Sequence, residues 1–104
     1  MYTEISTDEL RDRLEQGEKL YLVDVREPDE WEDGHVQEAI NIPLSQLQAR
    51  VGELAAGGEE PFILMCRSGN RSSRACDYLT ALGYEVVNVA GGMLNWNGKV
   101  VSGA

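Results

Sequence analysis

The sequence predicts an α/β domain built on an open, mainly parallel sheet. Three observations carry that expectation. Short apolar segments alternate with helical ones along the chain, the runs LYLVDV and PFILM are almost continuously apolar, and helix ends are marked by capping residues and glycines. Strands covered on both faces lose the apolar–polar alternation of a half-exposed sheet, so such runs point to internal, parallel strands.

Each element has its own justification. Ser6 is placed to cap the first helix, Glu9 to close a reciprocal capping box and Ile5 to staple onto Leu10. That helix runs to about Gln16, burying Leu10 and Leu14, and Gly17 is its left-handed stop. LYLVDV (20–25) is the first strand. EPDEWEDG (27–34) is a short acidic helix with Pro28 in its first turn and Gly34 at its end. AINIP (39–43) is a brief strand closed by proline, and Ser45 with Gln48 forms a second capping box for a helix that fades at Gly57-Gly58. PFILM (61–65) is the most apolar strand. RSSRACDYLTAL (71–82) has helical spacing in Ala75, Leu79 and Leu82, and Gly83 ends it. EVVNV (85–89) is the last strand, followed by Gly91-Gly92 and a helical turn containing Trp96.

Composition bounds the function. A chain of 104 residues is expected to be one domain over 1–104, burying roughly two-thirds of its unfolded surface. No window reaches the length of a membrane-spanning helix, and the acidic start MYTEISTDEL is unlike a secretory or transit signal. Two cysteines do not make a disulfide framework, so a reducing, cytoplasmic setting is the expectation. The net charge of -9 disfavours nucleic acid and anionic lipid. Arg67, Arg71 and Arg74 nevertheless fall in a stretch without acids, which suits a small anionic ligand.

The chemistry concentrates in CRSGNRS (66–72). Cys66 ends the most apolar strand just before a helix, and in open α/β sheets ligands bind beyond the carboxyl ends of the strands. Loop N–H groups, the helix dipole and the charges of Arg67 and Arg71 all favour a thiolate there, and Gly69 lets the loop curl around the sulfur. Three chemistries compete for such a thiol. The cysteine phosphatase signature places five residues between Cys and Arg, whereas here that position is Ser72 and the arginine comes one residue early, at Arg71. The shorter loop has a smaller radius and fits a sulfur atom better than a tetrahedral phosphate. Disulfide exchange would need Cys76, whose spacing to Leu79 places it near the apolar helix face, and there is no C-x-x-C. A metal is not expected: two cysteines and one histidine cannot close a zinc site without carboxylate help.

These residues resemble the rhodanese (thiosulfate sulfurtransferase) family over nearly the whole chain. LYLVDVREPDEWEDGHVQEAINIPL is similar to the family's D-V-R-x-x-x-E-[FYW] and G-H-[IV]-x-x-A-x-[NH]-[IV]-P elements, CRSGNRS to its six-residue loop, and VAGGMLNW to G-G-x-x-x-W. The tail NGKVVSGA departs from the family's usual G-x-P-[VIL]. The resemblance implies a five-stranded sheet flanked by helices on both faces, and a cofactor-free sulfurtransferase with Cys66 as its persulfide carrier. The donor would be a small anion such as thiosulfate and the acceptor cyanide, a thiol or a protein. Arg67, slightly ahead of Arg71, would hold the donor. Ser68, Gly69, Asn70 and Ser72 would supply loop backbone, with Ser72 also capping the helix. Asp24 is expected to accept hydrogen bonds from the loop and Arg26 to pair with Glu30, both as structural supports. His35, Trp31 and Trp96 are read as structural.

Overall fold

The computed structural model describes residues 2–104. Five strands, β1 (Thr3–Ser6), β2 (Tyr21–Asp24), β3 (Ile40–Asn41), β4 (Phe62–Met65) and β5 (Val86–Ala90), form one sheet in the order β1-β5-β4-β2-β3, every neighbouring pair parallel. The helices are α1 (Thr7–Glu15), α2 (Pro28–Asp33), α3 (Leu44–Gly57) and α4 (Asn70–Ala81), and a 3-10 turn spans Gly92–Asn95. The sheet is thus wholly parallel, where the sequence predicts a mainly parallel one.

Side-chain alternation along the central strands makes two cores, one on each face. Phe62 and Leu64 of β4 join Val23 and Val25 against Leu47 and Leu54 of α3 and Ala75, Cys76 and Leu79 of α4. Ile63 and Met65 face the other way and join Leu22, Val89 and Leu10 of α1, with Trp31 and Trp96 packed alongside. Both tryptophans therefore pack, as expected.

Several local expectations need correction. Strand β1 is not legible in its residues, because TEIS buries only Ile5 and pairs only with β5. The Ser6 hydroxyl does accept from Glu9 N–H at 3.0 Å, and Gly17 takes φ +83° at the end of α1. Helix α3 instead starts one residue before Ser45, behind Pro43, whose ring-fixed φ of -57° already suits a helix entrance. The Ser45 hydroxyl is drawn away to the Glu27 carboxylate at 3.0 Å. Trp96 follows the 3-10 turn rather than lying inside it. The unusual tail folds back to form a two-way backbone bridge between Val101 and His35 (2.8 and 2.9 Å).

Candidate active site

Cys66 follows directly on β4, the central strand, and the period-two alternation of Phe62 and Leu64 carries it to the face covered by α3 and α4. Its exposure is 0%. The chain then turns through Gly69, which has φ +103°, into α4. A side chain at Gly69 would be strained there and would crowd Gly91 N at 3.3 Å.

Helix α4 lacks a side-chain cap from its N-cap residue, Gly69. The sulfur occupies that role. Cys66 Sγ accepts from Gly69 N–H at 3.1 Å and from Ser72 N–H at 3.4 Å, with the Ser72 hydroxyl also at 3.4 Å. Ser72 is the third residue of α4, and its N–H is one that a capping oxygen ordinarily satisfies. Burial pushes the thiol pKa up. The hydroxyl and N–H of Ser72 and the N–H groups of Gly69 and Ser68 outweigh it, so the net shift is downward and the thiolate is favoured.

Two further elements hold the loop. Met93 N–H and Leu94 N–H donate to the carbonyls of Cys66 and Arg67, each at 2.9 Å. This docking requires glycine at 92, since a Cβ there would lie 2.3 Å from Cys66 O and 2.7 Å from Arg67 O. Behind the loop, the Ser72 hydroxyl reaches Asn88 Oδ1 on β5 at 2.6 Å and Gly69 O at 3.2 Å.

The anticipated site residues divide by role. Gly69 and Ser72 meet at the sulfur and the Ser68 N–H also acts on it, although Ser68 is itself exposed, while Asn70 lies exposed at the first position of α4. Ser72 lies within α4 instead of capping its start, a position taken by Gly69. The two arginines differ in kind. Arg71 grips Glu30 in a two-pronged pair at 2.6 and 2.8 Å, which holds the Glu30 carboxyl at about 2. Arg67 is exposed and, among the described residues, forms no ion pair; it borders a depression with Arg26, Glu30, Asp33, Met93 and Leu94.

Asp24 and Arg26 behave differently from expectation. Asp24 is fully buried and accepts from Arg26, through its backbone N–H at 2.9 Å and its guanidinium at 2.8 and 3.0 Å, rather than from the loop. Arg26 accordingly pairs with Asp24 and not with Glu30, and it donates to Gly34 O at 2.7 Å. Two residues of separation let the guanidinium fold back onto the carboxylate, and burial of both charges favours that local closure. His35 stacks on Trp31 at 3.4 Å, with its Nδ1 2.7 Å from Trp31 O. Cys76 is buried, and burial, with Asp77, Glu4 and Cys66 adding to it, pushes its thiol up to about 12.

Three supporting residues escape a reading of the sequence alone: Asn88, Gly92 and, as a partner of Arg71, Glu30. Glu30 and Gly92 stand in the motifs quoted above, with no such role read for them there, and the one signal for Asn88 is an amide in the apolar strand VVNVA.

Residues 6–99 match the Rhodanese family, described as a rhodanese-like domain. In sequence the chain is 40% identical over 96 residues to YtwF of Bacillus subtilis (strain 168), covering 92% of this chain and 91% of that one. It is 36% identical over 97 residues to a sulfurtransferase of Allochromatium vinosum, covering 92% of this chain and 89% of that protein. In structure it is similar to a rhodanese-like domain protein from Staphylococcus aureus, with a TM-score of 0.84, 30% identity and coverage of 98% and 99% of the two chains.

Proposed function

The chain belongs to the rhodanese-like domain family, and within that family we propose that it is a sulfurtransferase carrying sulfur on Cys66. One observation supports this above the rest: the Cys66 sulfur plays the hydrogen-bonding part of a capping side chain at the start of α4, accepting from the backbone N–H groups of Gly69 and Ser72. Fixed N–H dipoles stabilise charge on a sulfur, or on a second sulfur bonded to it, without having to reorganise.

The reaction runs in two displacements. The Cys66 thiolate attacks the outer sulfur of thiosulfate; the new S–S bond forms as the old one breaks, and sulfite leaves with the bonding electron pair. The product is the Cys66 persulfide, held as an anion. Cyanide or a thiolate then attacks the outer sulfur, and Cys66 departs again as a thiolate. Arg67, exposed and beside the thiol, is the better placed arginine for the sulfonate oxygens, since Arg71 is already committed to Glu30. Because Cys66 is wholly covered, the loop must open for the donor to reach the sulfur.

A protein acceptor is favoured by one feature of the rim: Leu94 is 62% exposed beside Arg67, an apolar contact that cyanide does not need. Two free, buried cysteines suit a reducing, cytoplasmic setting. Mass spectrometry tests the proposal. The protein is expected to gain one sulfur atom on incubation with thiosulfate and to lose it to cyanide as thiocyanate, while Cys66→Ser does neither. Absence of any sulfur gain would refute the persulfide, and Cys66-dependent cleavage of an aryl phosphate would favour phosphatase chemistry instead.

A further inference from the structure

Asn88 is a buried amide in a strand otherwise made of valine and alanine. A carboxamide in such a place costs free energy unless its polar atoms are met. Its Nδ2 faces two acceptors, Glu4 Oε2 at 3.0 Å and Gly69 O at 3.4 Å, which turns Oδ1 toward the Ser72 hydroxyl at 2.6 Å. The donor side is dispensable: Glu4 is exposed to water, and Gly69 O already accepts from Ser73 N–H at 3.0 Å. What remains for Asn88 is its oxygen.

The Ser72 hydroxyl carries one hydrogen. It has three acceptors within reach: Asn88 Oδ1 at 2.6 Å, Gly69 O at 3.2 Å and Cys66 Sγ at 3.4 Å. With Gly69 O supplied by Ser73, the hydrogen is contested between the amide oxygen and the sulfur. An uncharged sulfur is a weak acceptor and loses that contest, whereas an anionic sulfur is a much stronger one.

We propose that Asn88 is a positioning residue for the sulfur: its Oδ1 holds the Ser72 hydroxyl hydrogen while the sulfur is uncharged and yields it when the sulfur is anionic. Only rotation about the Cβ–Oγ bond of Ser72 is needed, so no heavy atom moves. Drawing the hydrogen away leaves Asn88 Oδ1 without its donor, and that cost opposes stabilisation of the anion. The sulfur therefore stays more basic, and a stronger nucleophile once ionised, than in a site where the hydroxyl had nowhere else to point. The inference rests on Cys66 being the reacting thiol, but its measurement requires no sulfur transfer.

The test follows the ultraviolet absorbance of the thiolate against pH in the full chain. Cys76, held up at about 12, stays silent through the titration of Cys66. The charged groups on the surrounding elements, namely Arg67, Arg71, Asp24, Arg26, Glu30 and Glu4, are unchanged in every variant. Asn88→Leu removes the competing oxygen and is expected to lower the Cys66 pKa by about half a unit or more. Asn88→Val, which suits the valines beside it in β5, gives the same direction and serves if the leucine variant does not fold. Adding Ser72→Ala is expected to abolish the lowering, because the contested hydrogen is gone. An unchanged or raised pKa in a folded Asn88 variant would overturn the proposal, as would a lowering that survives Ser72→Ala. A pKa that moves as stated in a protein that never gains sulfur would refute the sulfurtransferase reading and leave the role of Asn88 standing.

Discussion

Replacing Gly92 with alanine separates backbone strain from loss of the loop's support. Gly92 has φ +55°, where an L-residue costs about 1–2 kcal/mol. Its added Cβ would fall 2.3 Å from Cys66 O and 2.7 Å from Arg67 O, both backbone atoms that cannot swing aside. Relief requires the 3-10 turn to move off the loop, which breaks the bonds from Met93 N–H and Leu94 N–H. Two such bonds contribute about 1 kcal/mol each. The expected loss is therefore about 3–4 kcal/mol, read by urea denaturation. Gly83→Ala is the control. Gly83 has φ +96° and open space, with no atom within 4 Å of where a Cβ would lie, so only the strain of about 1–2 kcal/mol remains. Thermal melts should separate the two variants by roughly 8 °C or more at this chain length. The Cys66 pKa should also rise in Gly92→Ala and stay put in Gly83→Ala, because only the first displaces the N–H groups at the sulfur. Equal losses in the two variants would refute the buttress argument.

Two other perturbations test the charges around the site. Glu30→Gln breaks the pair with Arg71, whose side chains are 29% and 32% exposed, so the loss at neutral pH should be below about 1 kcal/mol. Glu30 is lowered from 4.5 to about 2, so its contribution is complete above pH 4.5 and disappears as pH falls through 2; denaturation curves of wild type and variant should converge across that window. Asp24→Asn leaves the buried Arg26 charge without its carboxylate and should cost about 3 kcal/mol in the same assay, far more than Glu30→Gln, with a smaller difference between them counting against the buried-pair reading.

Much of the architecture is legible because it is written in local periodicity. The apolar runs of β2 and β4 are buried on both faces, and the helix stops at Gly17 and Gly83 both take positive φ. Where the reading fails, a partner distant in sequence makes the decision. Strand β1 exists because Thr3 pairs with Val87 across almost the whole chain, and four residues with one buried side chain carry no sign of that. Ser45 has the right type for a cap, yet its hydroxyl is claimed by Glu27 at the start of α2. The site follows the same division. The spacing from Cys66 to Ser72 brings the loop and helix start together, whereas Asn88 and Gly92 matter through contacts across the top of the sheet that no local pattern announces.

The bonds from Met93 and Leu94 to the loop carbonyls also impose an order in time. A ribosome makes Cys66 well before it makes the turn that braces it, and residues still in the exit tunnel cannot reach back. During that interval strand β5, with Asn88, is missing as well, so the nascent thiol has neither its brace nor the partner of its serine. The loop is thereby left unbraced until β5 and the turn after it have emerged, and a truncated product ending before β5 would carry the cysteine on a loop without that support.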